Sequence, residues 1–144
     1  MRRFSLDSFR AVLAHDTRDL MTWSIRDSGF DMLLSGQVPA AINDALTAHI
    51  GSILDGAPVE SIDLWAVHPG GRSVLDAVER AIGLGPAGLA ASREVLRRFG
   101  NMSSATVMFV LEALLRSAPK GRSGCAMSFG PGLVAETMRF RTVG

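Results

Sequence analysis

A short apolar segment that leads into a histidine and a Pro-Gly-Gly turn constrains this fold more than any other feature of the sequence. Residues 62–67, IDLWAV, are apolar on both faces, which is typical of a central strand covered from both sides. The turn HPGG at 68–71 follows directly, and helical spacing then begins near Ser73 and ends at about Ile82. A buried strand that turns straight into a helix predicts an α/β domain.

Turn residues and apolar periodicity divide the remainder into short elements. Ser73 is predicted to cap the helix after the HPGG turn, and Ser103 or Ser104 the last helix. The resulting order, βββαβαααββ, predicts one mixed sheet of five to six strands covered by helices. The other predicted strands are 9–13, 23–26, 30–35, 125–129 and 133–140, and the other predicted helices are 38–54, 87–99 and 104–117.

Composition narrows the class of protein. A chain of 144 residues with 47% hydrophobic residues fits one globular domain, 1–144. A net charge of +1 gives no reason to expect a nucleic-acid partner. The single cysteine, Cys125, excludes an internal disulfide, and the longest apolar run, ATVMFVLEALL, is too short to cross a bilayer. We therefore expect a soluble, cytoplasmic protein with no membrane partner.

Three turns at the ends of predicted elements hold the candidate chemistry: HPGG at 68–71, GNMSSA at 100–105 and SFGPGL at 128–133. The imidazole N–H of His68 and the carboxamide of Asn101 could both donate to one carbonyl oxygen. A donor of this kind lowers the barrier of an oxyanion-forming step by roughly 3–4 kcal/mol. The sequence leaves open whether the two side chains meet. The structural alternatives are a buried histidine at a strand end and an asparagine that only forms a turn.

These three motifs, in this order, resemble the C-terminal half of type III polyketide synthases, the chalcone synthase-like family. The resemblance extends upstream through DLMTWSIRDSGFDMLLSGQVP, which is similar to bacterial members, and covers roughly Phe9 to Arg141. It implies one half of a thiolase-like fold. It also implies malonyl-CoA and acyl-CoA thioesters as substrates, with no separate cofactor and no metal.

The resemblance assigns roles to individual residues. His68 and Asn101 would be catalytic: they would hold the malonyl thioester carbonyl, promote decarboxylation and stabilise the enolate. The family's first loop glycine is replaced here by Ser128, a small departure at the wall of the cavity. The implied substrate-binding residues are Met32, Gly70, Gly71, Ser73, Ser103, Phe129, Gly130, Pro131 and Gly132.

One departure from the family decides the interpretation. The family's nucleophilic cysteine lies in an N-terminal half that this sequence does not contain, and Cys125 falls in a strand where we expect it to pack. A cysteine-bearing half, or a second copy as a homodimer, is the implied partner. One alternative is a non-catalytic interaction module that pairs through its uncovered face. A further alternative is slow malonyl-CoA decarboxylation by His68 and Asn101 without a cysteine. Trp23 and Phe30 are expected to pack in the core.

Overall fold

Within residues 2–144, which the computed structural model describes, six strands and four α-helices follow the predicted order. Short 3-10 turns lie at Arg18–Leu20, Val59–Ser61 and Ser103–Ala105. The strands are β1 (Arg3–Leu13), β2 (Met21–Arg26), β3 (Gly29–Leu34), β4 (Leu64–Val67), β5 (Ser123–Gly130) and β6 (Val134–Val143), and the helices are α1 (Val38–Ile53), α2 (Arg72–Ile82), α3 (Ala90–Phe99) and α4 (Thr106–Ser117).

Four of these strands form one mixed sheet in the spatial order β1-β6-β5-β4. β4 and β5 are parallel, whereas β6 is antiparallel to both of its neighbours. β2 and β3 form a separate two-stranded antiparallel hairpin. The mixed α/β fold is confirmed, but the strands do not all join one sheet of five to six. Strand patterns show which segments are extended, and they do not specify which segments pair.

The strand that precedes His68 is covered on both faces, as its apolar run predicts. Trp65 and Val67 pack in one core with residues of α1 and α2. Ala66, on the opposite face, packs in a second core with Val95 of α3 and Val110 of α4. β4 is nevertheless an edge strand of the sheet, with β1 at the other edge, and not a central one. Helices on both faces give a strand an apolar sequence whether or not it has two neighbours.

Three predicted helix starts differ from the structure. α2 begins at Arg72 directly after Gly71, so Ser73 lies inside its first turn and does not cap it. A 3-10 turn over Ser103–Ala105 precedes α4, so neither serine caps that helix. α3 begins at Ala90 rather than residue 87, after a tight turn in which Gly88 N–H donates to the Gly85 carbonyl at 2.9 Å. None of the helices in residues 2–144 is both long and apolar enough to span a membrane.

The hairpin corrects a second expectation. Trp23 and Phe30 do not lie in the core: they are 49% and 66% exposed, and their rings lie 5.7 Å apart. The register pairs Trp23 with Met32 and Ile25 with Phe30, so these four side chains share one face of the hairpin. Aromatic content alone predicts burial, but here the hairpin extends beyond the sheet, and no described residue covers that face fully.

Candidate functional site

His68 follows the last residue of β4, at the carboxyl edge of the two parallel strands. Its backbone N–H donates to the Met127 carbonyl of β5 at 2.8 Å, which continues the sheet by one residue. A Cβ placed on Gly70 would lie 3.8 Å from Nε2 of His68, so the backbone of the turn runs alongside the ring. No group in residues 2–144 hydrogen-bonds the imidazole, and partial burial lowers the pKa of His68 below its usual value. The ring is therefore neutral near pH 7.

Asn101 joins the second motif to the first. Its Nδ2 donates to the Gly70 carbonyl at 3.3 Å, and its Oδ1 accepts the Ser103 N–H at 2.9 Å. The structure thus brings the HPGG and GNMSSA turns into direct contact through the Asn101 side chain and the Gly70 backbone. A carboxamide nitrogen carries two hydrogens. One is directed at Gly70, and no acceptor in residues 2–144 takes the other.

The third motif ends β5 at the same edge of the sheet. Val67 lies opposite Met127 in the parallel pair, so Phe129 and Gly130 extend past the strand end that carries His68. Pro131 and Gly132 form the turn into β6, and Gly132 has a φ of 77° that favours glycine. The Gly132 N–H donates to the Met21 carbonyl at 2.8 Å, which fastens the loop to the start of the hairpin.

The remaining predicted binding residues lie in two places. Gly71 and Ser73 follow His68 at the start of α2, and the Ser73 side chain is exposed. Ser103 lies beside Asn101 with a φ of 62°, an uncommon value for a residue with a Cβ. Met32 lies on the exposed apolar face of the hairpin, an element separate from the sheet that carries His68. The structure therefore brings Gly70, Asn101 and Ser103 into hydrogen-bonded contact beside His68 and Gly71, and the role of Met32 on the hairpin stays a prediction.

Cys125 packs in the core, as predicted. It is fully buried in β5, and burial raises the pKa of its thiol to about 12. A thiol with that pKa is almost entirely protonated near neutrality, so Cys125 is not an activated nucleophile.

Two surface clefts lie outside this cluster of residues. The larger, of about 450 Å³, lies between the loop 14–20 and α1 and includes His15 and His49. The smaller, of about 190 Å³, is lined by Leu111 of α4 and by Met127 and Ser128 of β5, next to the strand end beyond which His68 lies. No group of three or more His, Cys, Asp or Glu residues in the described part of the chain could hold a metal ion.

Sequence reasoning missed two buried hydroxyls that support the site. Ser92 of α3 accepts the Val67 N–H at 3.2 Å, one residue before His68. Thr106 of α4 accepts the Met102 N–H and donates to the Ser103 carbonyl, both at 2.8 Å. No sequence pattern distinguishes Ser92 from other helix residues. The one sequence signal that could have pointed to Thr106 is its position directly after the GNMSSA motif.

The fold is a thiolase-like half of the kind found in polyketide synthases. The structure matches PKS-I from the brown alga Ectocarpus siliculosus with a TM-score of 0.90 and 30% sequence identity, over 97% of this chain and 40% of that one.

Sequence comparison gives the family. The model of the chalcone and stilbene synthase C-terminal domain matches residues 7–144, so the chain belongs to this family. An alpha-pyrone synthesis polyketide synthase-like protein of Mycobacterium tuberculosis is 34% identical over 89% of this chain and 34% of its own length. A putative chalcone synthase of Bacillus subtilis is 30% identical over 91% of this chain and 37% of its own length. Bisdemethoxycurcumin synthase of rice (Oryza sativa subsp. japonica) is 34% identical over 94% of this chain and 37% of its own length. The chain thus spans little more than a third of the length of these relatives, and the predicted family is confirmed.

Proposed function

We propose that this chain supplies the C-terminal catalytic half of a type III polyketide synthase, an acyltransferase that condenses malonyl-CoA with an acyl thioester. The nucleophilic cysteine would come from another half. The observation that carries the proposal is the hydrogen bond from Asn101 to the Gly70 carbonyl. It holds the carboxamide beside the turn that begins with His68. In this proposal both side chains would bind one ligand oxygen.

The chemistry needs N–H donors at one oxygen. Decarboxylation breaks the bond between the malonyl methylene carbon and the carboxylate, carbon dioxide leaves, and the electron pair becomes an enolate. The N–H of neutral His68 and the remaining N–H of Asn101 would stabilise the enolate oxygen. The enolate carbon would then attack the acyl thioester on the cysteine of the other half. A new carbon–carbon bond forms, and the thiolate leaves.

The exposed apolar surface supports a partner. Large hydrophobic side chains are rarely clustered in the open on a monomer. Besides the hairpin face, Phe99 of α3 and Met108 and Phe109 of α4 are 45%, 61% and 39% exposed, and the two phenylalanine rings lie 5.3 Å apart. A cysteine-bearing half, or a second copy of the chain, would cover such surfaces. Coenzyme A thioester substrates and a cytoplasmic location are parts of the same proposal.

Reconstitution tests the proposal. The chain is mixed with a cysteine-bearing N-terminal half from a relative, an acyl-CoA starter and malonyl-CoA, and products are measured by mass spectrometry. Asn101→Ala is expected to lower kcat by roughly 100- to 1,000-fold, as for the loss of one oxyanion donor. His49→Ala, on α1 beside the other cleft, is the control and should leave the rate unchanged. Absence of product with both halves folded would reject the proposal.

The exposed hairpin face favours one second candidate, a non-catalytic module that associates with itself or with a thiolase-like chain. Ile25, at 83% exposed, is the most open large side chain on that face. Light scattering of the isolated chain at increasing concentration tests this candidate. Self-association that Ile25→Ser weakens would support it, and a monomer at every concentration would argue against self-association.

A further inference from the structure

We propose that Thr106 is a positioning residue that fixes the Asn101 carboxamide through the backbone of the GNMSSA turn. The inference deepens the proposed function, on which its catalytic consequence rests. It starts from a side chain that is completely buried at the first residue of α4. Both hydrogen bonds of its hydroxyl are to backbone groups.

The hydroxyl takes part in both bonds at once. Thr106 Oγ1 accepts the Met102 N–H at 2.8 Å and donates its own hydrogen to the Ser103 carbonyl at 2.8 Å. A hydroxyl has one hydrogen to give and lone pairs to accept, so the two bonds do not compete. Removing the hydroxyl would leave the Met102 N–H without this partner and would leave the Ser103 carbonyl with the Thr106 backbone N–H alone. An unpaired buried polar group is costly.

The bonds bracket the peptide group that orients Asn101. The Met102 N–H belongs to the peptide before it, and the Ser103 carbonyl belongs to the peptide after it. Between them lies the peptide whose N–H, that of Ser103, donates to Asn101 Oδ1 at 2.9 Å. With Oδ1 held there, Nδ2 faces the Gly70 carbonyl.

Backbone strain at Ser103 explains why the turn needs the two Thr106 hydrogen bonds. Ser103 has a φ of 62°, in the left-handed region that residues with a Cβ rarely adopt. A conformation of this kind persists only when surrounding bonds enforce it. Thr106 provides two such bonds, one on each side of the strained residue's N–H. Without them the turn can relax, and the carboxamide loses its fixed direction.

The chain offers a matched control at the opposite end of the sheet. Thr142 is also buried, and its Oγ1 accepts the Arg122 N–H at 2.9 Å and donates to the Pro119 carbonyl at 2.7 Å. The bond set is of the same kind as that of Thr106. Thr142 adjoins the start of β5, whereas His68 lies at its carboxyl end. Thr142→Val therefore reproduces the general cost of losing a buried hydroxyl without touching the turn.

The first experiment needs no activity. Hydrogen exchange of the Met102 and Ser103 amides, and the side-chain amide resonances of Asn101, are followed by NMR in the 144-residue chain. Thr106→Val is expected to accelerate exchange of both amides roughly tenfold and to shift the Asn101 signals, as for the loss of a buried hydrogen bond. Thr106→Ser, which keeps the hydroxyl, should resemble the unaltered chain. Thr142→Val should change only the surroundings of Arg122.

Two results would overturn the inference. One is unprotected Met102 and Ser103 amides in the unaltered chain, a result that does not depend on any variant folding. The other is an Asn101 signal that Thr142→Val moves as much as Thr106→Val.

The second experiment is kinetic and uses the chain reconstituted with a cysteine-bearing half. Thr106→Val is expected to lower kcat more than it changes KM for malonyl-CoA, with rescue by Thr106→Ser. An equal loss of kcat in Thr142→Val would contradict positioning. If even the unaltered assembly is inactive, the proposed function fails while the NMR result still decides the role of Thr106.

Discussion

Ser92 of α3 accepts the Val67 N–H of the edge strand β4 at 3.2 Å. β4 has a strand neighbour on one side only, so its outward backbone groups need other partners. The bonded residue immediately precedes His68, whose own N–H donates to Met127 on the inner side. The end of β4 next to His68 is therefore hydrogen-bonded on both sides, to β5 on one side and to α3 on the other.

Replacing that serine should loosen the strand end. Ser92→Ala leaves the Val67 N–H without a partner in a fully buried position, and we expect a loss of about 1–3 kcal/mol in the free energy of unfolding. Urea denaturation followed by circular dichroism measures this loss. Ser52→Ala, which removes an exposed hydroxyl bonded within α1, is the control and should cost much less. Equal losses in the two variants would contradict a special role for the Ser92 bond.

Gly124 cannot accept a side chain. It pairs with Phe140 across β5 and β6, and a Cβ added to Gly124 would lie 2.2 Å from the aromatic ring. Phe140 is buried and packs against Phe4 with the ring centroids 4.6 Å apart and the rings tilted, so the Phe140 ring has little room to move. We expect Gly124→Ala to destabilise the chain by at least about 1–3 kcal/mol, the cost of overpacking a core.

A second glycine provides the matched control for that substitution. Gly51 lies in α1 with nothing within 4 Å of an added Cβ, and Gly51→Ala should stabilise the helix by roughly 0.5–1 kcal/mol. Thermal unfolding of both variants beside the unaltered chain is the measurement. A Gly124→Ala variant as stable as the unaltered chain would show that the sheet can shift to admit the methyl group.

His68 should make stability depend on pH. Burial lowers its pKa in the folded chain below the usual 6.5, so the unfolded chain binds the proton more readily. Its contribution to stability is therefore complete above pH 6.5 and is lost as the pH falls from there toward the folded-state pKa.

The measurement compares the unaltered chain with His68→Gln by chemical denaturation between about pH 5 and 8. The difference in unfolding free energy between the two should change with pH below the usual histidine pKa and stay constant above it. His49→Gln, at the surface cleft, is the control. A difference that does not vary over this range would contradict a lowered pKa for His68.

Cys125 should resist modification while the chain is folded. Its burial and a pKa of about 12 leave little thiolate near neutrality. We expect a thiol reagent to label it only in denaturant, with labelling followed by intact mass. Rapid labelling of the native chain would mean that β5 opens readily.

Local signals determined which parts of the chain become strands, helices and turns. Helix boundaries follow from residues with special backbone angles. Pro39 favours the start of α1, and the ends of α2 and α3 follow from Gly83 and Gly100. The same holds for the two-sided apolar run before His68 and for the three motif turns. These features depend on dihedral preferences and periodicity, which act over short distances along the chain.

Only the tertiary structure decided which segments and side chains contact one another. The sequence did not indicate that β4 lies at the sheet edge, that the hairpin stands apart with Trp23 exposed, or that Asn101 reaches the Gly70 carbonyl 31 residues away. It also did not indicate that Ser92 accepts a backbone N–H of β4. Such contacts join segments that are distant in the chain, and their formation depends on how all the elements pack at once. No short stretch of sequence carries that information.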